Sequence, residues 1–428
     1  MGQPIAQDLE YYIPDGNTVI QVEGVLFKVH RYILSRDGSA FEGMFSLDNI
    51  PRSDSTESLI THDSRDYTTS PQCHHISHEG LSDDTPILLS GDTASDFRAL
   101  LWALYALPAE VFAMPSSRAH LVRLISIAKI AHKYGFRTTE RWALSVLTMC
   151  VCQNPDATPA SDDGTSANIN NIVTSTSILT QLTEVAVLCA HEDLHEAVEP
   201  LWADVLFAGQ SEDIVSAMTV ADRYPTQLRP LLGLAYYLMM LRGKEEWNKC
   251  SGPEEDPSGK VQPRPRLTRD QRIRLMSGYY NLSRACEALP INPPKLNHHA
   301  SCFLPAQQAQ AAIGLGGTGT AAAHAHARCG EAWEALWGGL VLSTSSSGMH
   351  TNAPIKIQYA DMLRKMHMVN HLLESLINGM EENSTNWVNV AGTTKAGNMN
   401  KHCMRMALKA SEEKVNDVLY GLADCFVE

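Results

Sequence analysis

The chain has 428 residues, of which 44% are hydrophobic and 19% charged, enough apolar material for buried cores and too much for a wholly disordered polymer. Its 34 basic and 48 acidic side chains leave a net charge of −14, a field that repels nucleic-acid phosphates, so no nucleic-acid partner is expected. At roughly 150 residues per domain, the length fits two or three domains.

Residues 1–10 carry neither a basic stretch nor an apolar core of the kind a secretory signal needs, which predicts an intracellular protein, cytoplasmic or nuclear, with reduced cysteines. Strand signals come first. Thr18–Val22 and Val25–Val29 flank Glu23-Gly24 as a hairpin, and Ile87–Leu89 reads as a third short strand. Between them, residues 49–85 are rich in Ser, Thr, Asp and His without apolar periodicity, which predicts a disordered insertion. Thr93 and Asp96 read as a capping box, followed by the helical stripe Phe97, Leu100, Leu101 and Leu104, and the same spacing continues at Leu121, Leu124, Ile125 and Ala128.

Residues 151–172 form a polar linker, and 173–249 form a helical region. Within that region the apolar run Leu231 to Leu241 is too short for a bilayer, which needs about 20 residues, so it predicts a buried helix and no membrane partner. A second linker, 250–266, precedes a helical region over 267–428. There Tyr359, Met362, Leu363, Met366, Leu373, Leu376 and Ile377 make one stripe, and Val415, Val418, Leu419, Leu422 and Phe426 another. AHKYGFRTTERWA from Ala131 and ADRYPTQLRPLLGLA from Ala221 share Ala-x-basic-Tyr ahead of an amphipathic run, which predicts two similar helix pairs.

The run from Tyr11 to Phe45 resembles the start of a BTB/POZ domain. It has a strand hairpin leading to Phe27, then His30, Ile33, Leu34, Ser39, Phe41 and a closing Phe45. The strand at 86–90, the helix at 95–105 and the helix pair from Leu121 continue the likeness over about 1–150. The segment CGEAWEALW from Cys329 and the final stretch Cys403 to Phe426 are similar to BTB proteins abundant in mushroom-forming fungi. The resemblance implies an α+β BTB/POZ domain of short strands and clustered helices over 1–150, followed by a mostly α-helical C-terminal region. It also implies a protein-interaction scaffold that forms homodimers and could serve as an adaptor, with no catalysis and no cofactor.

His30 is then expected to be a buried structural histidine, and the pairing face to include Tyr11, Tyr12, Ile13, Tyr32, Ile33, Phe41 and Met44. Two departures from the family pattern bear on partners. Asn17 stands where many dimeric members carry an Asp facing a basic residue, here Arg31. In Leu107-Pro108-Ala109-Glu110 the Glu falls one residue later than in the cullin-binding pattern.

The alternative reading is a zinc-dependent hydrolase. His191-Glu192-Asp193-Leu194-His195 satisfies H-E-x-x-H, in which two His on one helix face hold Zn²⁺ and the Glu deprotonates a bound water. The positions of a third ligand are filled by Leu201 and Ile214. His298, His299, Cys302, His324, His326 and Cys329 could staple a loop through a structural zinc, and Cys73, His74, His75 and His78 form a further ligand-rich group. Gly314, Gly316 and Gly319 satisfy G-x-G-x-x-G but lack the preceding strand that a dinucleotide site needs. The basic run Lys260, Arg264, Arg266, Arg269, Arg272 and Arg274 could be a nuclear address or an acidic-partner patch.

Overall fold

A computed structural model describes residues 6–47, 79–112, 118–152, 175–208, 210–250, 265–297, 330–342, 361–379, 399 and 401–426. These are mostly helical with one small N-terminal sheet, an α+β composition. The chain divides into two units, residues 1–201 and 202–428. The sequence boundary at 151–172 lies largely outside the described residues, and the helix after it belongs to the first unit.

In the first unit, β1 (Ala6–Tyr12), β2 (Thr18–Val22), β3 (Val25–Val29) and β4 (Ile87–Leu89) form one sheet in the order β1-β3-β2-β4. The hairpin is antiparallel, with Thr18 opposite Val29 and Val22 opposite Val25. Its turn places Glu23 at φ 50° and Gly24 at φ 79°. Positive φ at both central residues suits the right-handed twist of the flanking strands, and Gly adopts it without cost. β4 runs parallel to β2, as predicted for a third strand, whereas β1, parallel to β3, carries no alternating pattern and was not expected.

The helices of this unit are α1 (Arg31–Leu34), α2 (Ala40–Leu47), α3 (Ala94–Tyr105), α4 (Pro108–Phe112), α5 (Arg118–Tyr134), α6 (Arg137–Cys152) and α7 (Thr176–Leu188). Thr93 caps α3, its Oγ1 accepting the Asp96 N–H at 3.0 Å. One core joins sheet and helices through Ile20, Val22, Phe27, Phe41, Phe97 and Phe136. Phe27 and Phe97 meet edge to face with ring centroids 5.1 Å apart. Each buried Phe contributes roughly 1.5–3 kcal/mol through the apolar surface it removes from water.

Of the predicted insertion, residues 49–78 lie outside the described residues. Residues 79–85 form a turn in which Gly80 N–H donates to Thr85 O, while Gly80 O accepts Val19 N–H at 2.7 Å. The bond to β2, invisible in the local composition, satisfies a carbonyl of this turn.

α8 (Glu192–Ala208) carries the division between the units, and Pro200 lies inside it. The second unit is helical: α9 (Ser211–Arg223), α10 (Arg229–Arg242), α11 (Lys244–Lys249), α12 (Arg269–Ala288), α13 (330–342), α14 (Met362–Asn378) and α15 (Lys401–Cys425). α10 is the predicted buried helix, with Leu231, Leu232, Ala235, Tyr236, Tyr237, Met239 and Met240 inside. It packs on α9, α12 and α15. Two glycines permit close approach. A Cβ on Gly233 would lie 2.7 Å from Ala423 N, and one on Gly278 would lie 2.0 Å from the Phe426 ring.

Polar groups inside this unit are joined across helices. Asp222 accepts from the Tyr236 hydroxyl, the Gln271 amide at 2.9 Å and the Arg274 guanidinium at 2.8 Å. The Tyr237 hydroxyl donates to Asp361 at 2.7 Å and accepts the Leu363 N–H, which fastens α10 to the start of α14. The indole N–H groups of Trp333 and Trp337 in α13 donate to the carbonyls of Pro294 and Leu289. Each bond satisfies a group that would be costly to bury alone.

Candidate functional site

β1 is an edge strand with a local excursion. Gln7 pairs with Leu26 and Tyr12 with Lys28, so the intervening residues bulge away from β3. Asp8 closes the bulge from inside: its Oδ1 accepts the N–H groups of Glu10 and Tyr11, and its Oδ2 binds Arg98 at 2.6 Å. Burial alone would raise the Asp8 pKa, but the Arg98 guanidinium and the two N–H groups outweigh it and hold the carboxyl below the usual range. The outcome is a fully exposed Leu9 at the tip of the bulge.

The predicted pairing face separates into core and surface. Tyr11 and Phe41 are corrected to core residues, because the bulge turns Tyr11 inward and the amphipathic α2 points Phe41 onto Tyr134, with ring centroids 4.8 Å apart. Met44 packs against the same core, and Tyr12, Ile13 and Ile33 are half-buried. Tyr12 donates its hydroxyl to Asp83 at 2.7 Å. Only Tyr32 of the seven is freely presented, at 71% exposure, with the Arg36 guanidinium 4.9 Å above its ring. Leu9 was missed: its neighbours Asp8 and Glu10 give a polar stretch, and the outward turn follows from a bond to Arg98, which lies far along the chain.

His30 is half-buried rather than buried. Its Nδ1 lies 3.0 Å from the Tyr105 hydroxyl and its Nε2 3.5 Å from Asp15, so it faces a carboxylate at the surface. Asn17 does meet Arg31, but through the backbone: its Oδ1 accepts the Arg31 N–H at 2.7 Å, while the guanidinium reaches Phe45 O. The amide thus serves as a helix cap. Glu110 is engaged locally, accepting the Leu107 N–H at 2.8 Å.

Beside the bulge, a cavity of about 320 Å³ is lined by Glu10, Tyr11, Arg98, Trp102, Arg123 and Ser126. Arg98 is paired with Asp8, and Arg123 stacks over Trp102 at 5.0 Å. The cavity therefore offers an aromatic wall flanked by two guanidinium groups.

Of the H-E-x-x-H residues, His191 stands before the helix rather than within it. α8 begins at Glu192, and His191 caps it, its Nδ1 accepting the Leu194 N–H at 3.1 Å. Ala190 before it has φ 49°, a turn that delivers the chain into the helix. Among the described residues neither His191 nor His195 belongs to a group of three ligand side chains.

A different group does. His132 in the last turn of α5, Glu140 in the first turn of α6 and Cys189 just after α7 place their ligand atoms within 4.8 Å of one another. His132 Nδ1 lies 2.9 Å from Glu140 Oε1. Burial, followed by the charge of Glu140 and a hydrogen bond to it, pushes the Cys189 thiol up to about 12. The groups at Cys73 to His78, Gly314 to Gly319 and His298 to Cys329, with Lys260 and Arg264, lie outside the described residues. Of the basic run, Arg274 is engaged with Asp222. Among the described residues no helix is long and apolar enough to cross a membrane. No family model, curated protein or solved structure matches the chain.

Proposed function

We propose that the chain is a protein-interaction scaffold of BTB/POZ type that pairs with a second copy of itself through its N-terminal unit. The observation that carries this reading is the presentation of large apolar side chains on that unit. Leu9 is held outward by the pairing of the buried Asp8 carboxylate with the half-exposed Arg98, and Tyr32 stands on α1. Exposed aromatic and aliphatic side chains of this kind drive association by burial. The order of elements, a hairpin followed by two short helices, a third strand and a helix pair, supports the same reading.

Cullin recruitment as an adaptor has less support, since the Glu110 carboxylate already holds the Leu107 N–H. The hydrolase reading has less still, because His191 spends one ring nitrogen on capping its helix.

Light scattering on the eluting full chain tests the proposal. The wild type should have about twice the 47.1 kDa chain mass, and Leu9→Asp with Tyr32→Asp should return it to one chain mass with an unchanged circular dichroism spectrum. Both positions are exposed, so the fold should tolerate the change. A wild type that runs as a single chain at tens of micromolar would overturn the pairing.

A further inference from the structure

We infer that His132, Glu140 and Cys189 form a binding site for one divalent transition metal of the zinc class. The three come from separate elements, the end of α5, the start of α6 and the end of α7. The packing of the helices, rather than a local sequence motif, brings them together. One imidazole nitrogen, one carboxylate oxygen and one thiolate sulfur are the donor types zinc takes. With Cys189 as thiolate and Glu140 ionised, the protein ligands carry two negative charges, which a divalent cation neutralises.

The spacing suits this. Metal–ligand bonds of about 2.0–2.3 Å put tetrahedral ligands about 3.3–3.8 Å apart. His132 and Glu140 now stand at 2.9 Å, a hydrogen bond that opens slightly when a cation takes its place and the neutral imidazole carries its one proton on Nε2. No other pair of ligand atoms in the group exceeds 4.8 Å, so side-chain rotation alone can close the shell. On binding, the Cys189 Sγ–H releases its proton to solvent as the metal–sulfur bond forms, and no oxidant is involved. His132 is 39% exposed and Glu140 18%, which leaves one side open to solvent for the metal's approach and for a fourth ligand. A metal here ties the end of α7 to the α5–α6 pair and stabilises the N-terminal unit by mass action.

The test is equilibrium dialysis of the full chain against low-micromolar zinc with metal quantification, for wild type, H132Q and C189S. The wild type should hold one more zinc per chain than either variant, and zinc should raise its melting temperature but not theirs. His132 lies at the rim, so H132Q decides the matter if C189S fails to fold. A wild type that takes up no zinc overturns the site, as does either folded variant that keeps the wild-type stoichiometry. Cobalt(II) on the wild type alone is also decisive: a complex without a sulfur-to-metal band in the near ultraviolet overturns it.

Discussion

Two helix pairs, one in each unit, begin from nearly the same residues and use them differently. In α5–α6, Ala131-His132-Lys133-Tyr134 leads into a turn at Gly135; in α9–α10, Ala221-Asp222-Arg223-Tyr224 leads into a turn at 225–228. The position after the Ala carries a polar group in both. His132 meets Glu140 from the partner helix and Cys189 from a third, at a half-exposed edge. Asp222 gathers Tyr236 from the partner helix and Gln271 and Arg274 from α12, in a more enclosed setting. The same helix-pair frame therefore yields an open cluster of ligand types in one case and a closed structural hub in the other. What differs is the third helix, which supplies a thiol to one and an amide with a guanidinium to the other.

Removing the hub should have the largest effect. Asp222→Ala removes the acceptor shared by the Tyr236 hydroxyl, the Gln271 amide and the Arg274 guanidinium, at a cost of about 3 kcal/mol, read as a lower urea midpoint. Gly278→Ala comes next. The added methyl would overlap the Phe426 ring and force it from its slot, forfeiting about 2 kcal/mol of aromatic burial, visible as faster hydrogen exchange in α15. If both variants left the midpoint unchanged, the picture of a closely packed C-terminal unit would fail.

The N-terminal unit should respond to acid through Asp8. Its pKa is lowered in the fold, so its contribution is present above the unfolded carboxylate value near 4 and is lost as pH falls through the folded value. Asp8→Ala should remove about 1–2 kcal/mol at neutral pH and flatten the acid limb of a stability profile. Gly135→Ala should cost about 1 kcal/mol, since φ there is 77° and only Gly adopts it freely. The α9–α10 turn has no described residue at positive φ, so Ala substitutions there should lack that penalty. The smallest effect belongs to His132→Gln without metal, below about 1 kcal/mol, because its hydrogen bond with Glu140 is partly solvated. A loss as large as that of Asp222→Ala would make the two positions equivalent and erase the comparison.

What could be read ahead of the structure was local. The hairpin was legible because Glu23-Gly24 and the apolar runs beside it specify turn and pairing within one stretch of chain. The stripes at Phe97 to Leu101, at Leu121 to Ala128 and at Met362 to Ile377 were legible because helical periodicity selects one face for burial. β1 was not legible, because its partner β3 is parallel and its bulge is closed by Arg98. The same limit explains Phe41: the family resemblance put it on the pairing face, but whether it meets a second chain or the core depends on where Tyr134 and Phe136 come to lie. The setting of the H-E-x-x-H pattern was not legible for a related reason, since whether the first His lies on the helix or caps it depends on where α8 begins.

The sequence by itself determined the elements that short-range physics controls: turn chemistry, caps, apolar periodicity and the acidic balance that disfavours nucleic acid. Only the tertiary structure decided which polar groups share a place, putting Cys189 beside His132 and Glu140, Asp361 beside Tyr237 and Arg98 beside Asp8. Such pairings depend on the docking of helices and strands distant along the chain. No spacing rule within one segment encodes them, because the free energy that selects them comes from burying and satisfying both partners at once.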